Sequence, residues 1–310
     1  MSKIKDSLIG FAIGDAMGVP IEFSKREKLI AKPVTKMCGF GSHNVPAGCW
    51  SDDTSMTIAT MDSFIEKQQF NYNDIMNKFV EWVVHYKYTP CNFRFDIGNT
   101  CFEAIYNYNK KDMKPIECGL KGFNDNGNGS LMRILPVALY SFYKKLTDEE
   151  VIQLVNDISS LTHAHEVSRL GCYIYTRYII FLLNGKDTNS AYNMIKAVDY
   201  SNYSTENLKV YDRLLKFNIK ELSLNEISSS AYVVNTLEAS IWVLLNTKSY
   251  SQAIIDSINL GNDTDTIGAI CGSMAGIVYG YESIPKEWLN KLVKREYLEE
   301  IADKFEKELN

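Results

Sequence analysis

Apolar residues recur every three or four positions through most of this 310-residue chain. The recurrence divides it into stretches at 4–16, 54–66, 73–86, 97–108, 130–143, 148–161, 165–183, 232–246, 250–258, 264–280 and 286–307. That spacing predicts helices, and the two-residue alternation of half-buried strands is scarce. Start signals agree. Asp53 and Thr54 precede MTIATMDSFI, Thr147 precedes DEEVIQLV and Asn73 precedes DIMNKFVEWV, each offering a side-chain acceptor to the first free amides of a helix. The breaks are short apart from glycine-rich or aromatic loops at 31–51, 88–98 and 119–129, and no linker or shift in composition separates two halves. The expected fold is all-α, a single compact orthogonal helical domain over residues 1–310. The Asn/Ser-rich tract at 184–227 is expected to be a peripheral helical insertion with weaker packing.

Composition narrows the function classes. A hydrophobic content of 45% permits a sizeable core, and the net charge of −5 comes from interspersed acids and bases without a basic run. Nucleic acid is therefore not expected as a partner, except as a chemically modified substrate. No apolar run reaches the roughly 18 to 20 residues of a membrane span. The start, MSKIKDSLIGFAIGDAMG, is too acidic and glycine-broken for a secretory signal. A cytoplasmic location without membrane contact follows as an expectation, and since no oligomer is legible, a monomer. The seven cysteines form an odd set with no CxxC pair, so reduced core residues are expected rather than a disulfide framework or a thiolate zinc site.

Two acidic knots carry the candidate chemistry: WSDDTSMTIA at 50–59 and GNDTDTIGAIC at 261–271. Each crowds like charges that repel unless a cation or a proton lies between them. Taken singly, Asp53 and Asp263 read as helix caps, with Asp52 and Asp265 favouring the helix dipole. Together the knots supply more oxygen donors than capping uses. Ser51, Asp52 and Asp53 before one helix, and Asp263, Asp265 and Thr266 at the start of another, can aim several oxygens into one pocket. A set of carboxylates and hydroxyls with no nearby His or Cys suits Mg²⁺ or Mn²⁺, and two knots suit two ions. Further along, GFAIGDAMGVPIEF embeds Asp15 and Glu22 among apolar residues. Asp15 reads as a helix-end cap and Glu22 as a solvated loop acid, unless something neutralises Glu22. FRFDIGNT sets Phe93, Arg94, Phe95 and Asp96 before a helix, and GNGSLMRILP is a flexible turn opening directly into a helix, suited to an anion. His163 and His165 in LTHAHEV lack metal-ligand spacing and read as partly exposed imidazoles at a helix end.

These blocks, in order over some 270 residues, resemble the ADP-ribosylglycohydrolase family. They are GFAIGDAMGVPIEF, WSDDTSMTIA, FDIGNT, GNGSLMRILPVAL, LTHAHE, AYVVNTLEASIW and GNDTDTIGAICGSMAGIVYG. The resemblance implies an all-α domain with two Mg²⁺ (or Mn²⁺) ions in a central cleft, hydrolysing the bond between ADP-ribose and an acceptor and releasing ADP-ribose. By motif position it assigns Ser51, Asp52, Asp53, Asp263, Asp265 and Thr266 as metal ligands. It assigns Glu22 or Asp96 to proton transfer, and Asn99, Gly127, Asn128, Gly129, Ser130, Met132 and His163 to substrate. Ser51 stands where many members carry Thr, and Asn235 where an Asp is expected, a change that alters a hydrogen bond behind the ligands. ADP-ribosyl-arginine on protein is the favoured substrate. ADP-ribosyl-serine, the small molecule O-acetyl-ADP-ribose, an ADP-ribosylated nucleobase and a non-catalytic ADP-ribose binder are the alternatives. A dimetal phosphohydrolase is disfavoured because no HD or ExxE helix motif forms a convincing set.

Overall fold

The computed structural model describes residues 2–310. Twelve helices of nine residues or more form the frame: α1 Lys3–Gly18, α2 Asp52–Lys67, α3 Tyr72–His85, α4 Asn99–Lys111, α5 Leu135–Tyr143 and α6 Asp148–Ser160, then α7 Glu166–Leu183, α8 Thr188–Lys196, α9 Val233–Asn246, α10 Tyr250–Ile258, α11 Thr264–Tyr279 and α12 Arg295–Leu309. No strand occurs among the described residues. Isolated bridges such as Leu120 to His163 and Gly127 to Tyr232 tie loops together. The all-α expectation is met.

Helices α1 and α11 are apolar around nearly their whole circumference and are buried accordingly. They lie antiparallel at the centre, with α2, α7, α9, α10 and α12 packed around them. Glycines four residues apart on each helix make this approach possible. A Cβ added to Gly14 would stand 2.0 Å from the Gly268 carbonyl oxygen, and one on Gly10 would stand 2.4 Å from that of Gly272. The two backbones therefore touch directly, which any side chain would prevent. This contact sets the end of α1 against the first turn of α11, bringing Glu22 towards the second acidic knot.

Several element boundaries differ from the periodicity. The stretch 130–143 is a 3-10 turn, Leu131–Arg133, followed by α5, because Pro136 cannot supply the amide that would continue one helix through it. The GNGS turn thus does not open directly into an α-helix. The stretch 286–307 is two helices, Lys286–Lys291 and α12, parted where Val293 N donates to the Gly48 carbonyl at 3.0 Å and Lys294 turns left-handed. Asn71 caps α3 where Asn73 was expected. The 184–227 tract is not weakly packed. Tyr192, Tyr200, Tyr203 and Tyr211 are buried, with hydroxyls on partners such as the Val167 carbonyl at 2.8 Å. Its polar composition hides a tyrosine core, since each ring buries while its hydroxyl stays satisfied.

Candidate active site

The first knot is built by a side chain from another helix. Ser51, not Asp53, caps α2, its Oγ accepting from Asp53 N at 3.2 Å. Asp15, fully buried on α1, reaches across to the same helix mouth. Its Oδ1 accepts from Ser51 N at 2.9 Å, and its Oδ2 from Thr54 N at 3.1 Å and Thr54 Oγ1 at 2.6 Å. Asp15 is thus a long-range cap of α2 rather than a cap of its own helix. Asp263 holds the cap position of α11 but makes no cap bond, and its Oδ2 accepts from Asn128 Nδ2 instead. Capping therefore leaves the carboxylates of Asp52, Asp53 and Asp263 unexplained.

The knots meet beside a cavity of about 370 Å³, within the usual range for small-molecule sites. Eleven of the fifteen residues predicted for the site line it: Glu22, Asp52, Asp96, Asn99, Gly127, Asn128, Gly129, Met132, His163, Asp263 and Thr266. Ser51, Asp53 and Asp265 are buried without lining it. Ser130 is turned into the core, where its hydroxyl accepts from Ser159 Oγ at 2.9 Å and meets the Cys172 sulfur. A larger cleft of about 740 Å³ between the Gln69–Asn73 and Asp112–Ile116 segments holds a single acid, Asp112, so size alone does not select the cavity beside the acidic knots.

Ligand oxygens of Asp15, Asp53 and Asp265 lie within 4.8 Å of one another, as do those of Glu22, Asp263 and Asp265. Asp52 joins neither group. It faces the cavity near Asp96 and Glu22, whose charges come after burial in raising its carboxyl. Burial raises every carboxyl of the set. Asp15 and Asp263 are pushed up to about 6, Glu22 to about 10 with help from Asp96 and Asp263, and Asp53 and Asp265 well above the usual range. Among the described residues no lysine or arginine forms an ion pair with any of them, and Asp53 Oδ2 is buried with no hydrogen-bond partner. An orphaned carboxylate oxygen inside an all-oxygen cluster that lacks counter-charge is what a hard divalent cation would complete. The residues fit such an ion.

One histidine escaped the sequence reading and corrects the expectation that none is near. His43 contacts Glu22 Oε2 through Nε2, which also lies 4.0 Å from Asp96 Oδ2. It is carried there by the 31–51 loop, which lies against Pro20: Ser42 N donates to the Pro20 carbonyl at 3.1 Å, and a Cβ on Gly41 would strike that same oxygen. The only sequence signal was an imidazole among glycines ahead of the first knot. Glu22 is not a solvated loop acid but 6% exposed. It is held by a reciprocal pair of backbone bonds, Phe23 N to Asn262 O at 2.6 Å and Asn262 N to Ser24 O at 2.8 Å. Phe23, Asp96 and Asn262 all adopt left-handed backbone, and non-glycine residues so held cluster at functional sites. Phe95 packs on the His43 ring and Phe93 on Phe95, and neither lines the cavity. His163 is buried at the cavity wall instead of partly exposed, while His165 caps α7. Asn235 donates to Ser228 and Ser230 hydroxyls. Cys49 and Cys91, expected to be reduced, form a disulfide that ties the loop before Ser51 to the loop carrying Asp96. The fold brings together two cysteines 42 residues apart, which spacing along the chain does not reveal.

The family model for ADP-ribosylglycohydrolase matches residues 1–310. The chain belongs to the ADP-ribosylglycohydrolase family. Membership makes it an enzyme, a hydrolase of ADP-ribosyl linkages. It is 32% identical to the ADP-ribosylarginine hydrolase Tri1 of Serratia proteamaculans, over 98% of this chain and 79% of that one. It is also 29% identical to the ADP-ribosyl-[dinitrogen reductase] glycohydrolase of Rhodospirillum rubrum, over 95% and 92%. A solved structure titled ADP-ribosylglycohydrolase-related protein complex shares the fold, with a TM-score of 0.83, 24% identity and coverage of 99% of this chain and 98% of that one. No helix among the described residues is long and apolar enough to cross a membrane.

Proposed function

We propose that this family member removes ADP-ribose from arginine side chains of modified proteins and depends on two Mg²⁺ or Mn²⁺ ions held at the joined knots. The observation that carries the reading is the convergence of Asp52, Asp53, Asp263, Asp265 and Glu22 beside one cavity without a lysine or arginine against them. The arginine acceptor is favoured because two similar proteins are named for it. Ser51 and Thr266 complete the ligand set with hydroxyls. Bound there, the ions would stabilise charge on the ribose and acidify water. We further read residues 1–310 as one catalytic domain, monomeric and cytoplasmic.

The chain's own residues supply the rest. Breaking the N-glycosidic bond needs a proton at the departing guanidine nitrogen, and Glu22 is placed to give it. Burial and the neighbouring Asp96 and Asp263 push its carboxyl up to about 10 in the metal-free chain, and His43 contacts its Oε2. Asp96, also at the cavity wall, is placed to bind the ADP-ribose beside Glu22 and is the other candidate for the proton transfer. Asn99, Asn128 and His163 offer side-chain polar groups to the ADP-ribose, while Gly127, Gly129, Ser130 and Met132 shape the wall or the loop behind it.

The test presents arginine-, serine- and nucleobase-linked ADP-ribose to the purified chain with Mg²⁺, Mn²⁺ or EDTA. ADP-ribose released from the arginine conjugate, lost in EDTA and restored by either ion, is the expected result. Full activity in metal-free buffer would sink the cation dependence, and turnover of another conjugate alone would move the acceptor.

A further inference from the structure

The GNGS turn is followed by a cation in an unusual place. Arg133 is fully buried, and its guanidinium bonds only to neutral oxygens. Nη2 donates to the Ile158 carbonyl at 3.0 Å and to Thr162 Oγ1 at 2.7 Å, while Nε and Nη1 have no partner. The group lies over the Phe79 ring, its central carbon 5.2 Å from the centroid. A buried charge without a counter-ion is costly, so stability alone does not account for it.

What the charge faces supplies the account. Thr162 Oγ1, already accepting from Arg133, lies 2.9 Å from His163 Nδ1. A guanidinium only donates, so the hydroxyl proton of Thr162 remains free to be given away. Nδ1 is a far better acceptor than the other polar neighbour, the Cys101 sulfur. The positive charge behind the hydroxyl also favours a lone pair, not an N–H, on that edge of the ring. The opposite edge of His163 faces the cavity. A Cβ on Gly129 would stand 3.3 Å from Nε2 and 2.7 Å from Cε1, so the glycine leaves room for the ring. No protein atom among the described residues bonds Nε2. We propose that Arg133, acting through Thr162, is a positioning residue that fixes the His163 proton on Nε2, so that the cavity meets a permanent N–H donor for a ligand oxygen. Burial, and after it the Arg133 charge, holds the imidazole down at about 3, so the ring stays neutral across the working range.

The inference uses the ADP-ribose reading only to say what the donor faces, and the tautomer can be read without substrate. The experiment is nitrogen NMR of histidine-labelled protein, with His163 assigned by a His163→Gln variant. Wild type should show a protonated Nε2 and an unprotonated Nδ1, unchanged from about pH 5 to 8. Thr162→Val should release the ring to mix tautomers, Thr162→Ser should restore the wild-type signals, and Arg133→Met should also mix the tautomers while burial still keeps the ring neutral. A proton on Nδ1 in wild type, or wild-type signals in folded Thr162→Val, would overturn the proposal. If Thr162→Val does not fold, the wild-type tautomer and the tautomer mixture in Arg133→Met decide it. Thr162→Val should also weaken ADP-ribose binding by about three- to tenfold, the loss of one hydrogen bond. Expected NMR signals with unchanged ADP-ribose binding would uphold the tautomer and count against the cavity as the ADP-ribose site.

Discussion

Among single residues, the acids of the two knots divide by what each touches. Asp52 faces the cavity and Asp265 stands in both close carboxylate groups. Removing either should lower turnover by more than about a hundredfold, because an ion at a crowded site is left under-coordinated. Titration calorimetry of Asp52→Ala and Asp265→Ala with Mg²⁺ checks this, and unchanged binding with near-native rates would take both out of the metal site. The proton-transfer pair separates differently. Glu22→Gln should cut kcat by about 10² to 10⁴ with ADP-ribose still bound, while Asp96→Asn mainly weakens binding. The reverse pattern in single-turnover kinetics and ADP-ribose titration would hand the role to Asp96. Acids were legible in the sequence because a like-charge cluster or an acid in an apolar run needs a reason wherever it occurs. Asp15 and His43 were not assigned their roles, since a cap reaching from another helix and an imidazole delivered by a loop depend on which segments lie side by side.

At the level of elements, helices showed in the chain because their apolar period is local. Their breaks did not, where the cause is distant: nothing near 292–294 in sequence announces the bond from Val293 to Gly48 that parts two helices. The α1–α11 contact is the element on which the site depends. Gly14→Ala would drive a methyl to 2.0 Å from a backbone oxygen that has no rotamer to retreat into. It should destabilise the protein by about 1–3 kcal/mol, as overpacked cores do, and loosen Mg²⁺ binding because the knots move apart with the helices. Thermal melts with and without Mg²⁺ check both effects. An unchanged melting temperature would mean that the helices part freely.

Taken as a whole, the molecule holds a surplus of buried acid that ties its stability to pH. The folded carboxyls of Asp15 and Asp263 sit near 6 and that of Glu22 near 10, against about 4 when unfolded. Between those values the folded, metal-free protein holds more protons than the unfolded chain, so its stability falls as pH rises from about 4 through 6 and further towards 10. A divalent cation bound at the knots would oppose that fall, so the rise in melting temperature caused by Mg²⁺ should be larger at about pH 7.5 than at about pH 5. An equal rise at both would contradict the clustering. The central pairing carries one more consequence, for the chain while it is being made. Helices α1 and α11 are separated by some 240 residues, so a ribosome adding about 5–20 residues per second leaves α1 waiting on the order of ten to fifty seconds for its partner. Through that interval its glycine-notched face lacks the helix it packs against, and the Asp52–Asp53 knot lacks its other half. The joining of the two acidic knots is therefore among the last events in the birth of the molecule, and a nascent chain released before Asp263 would leave without its central helix pair and without half of its candidate site.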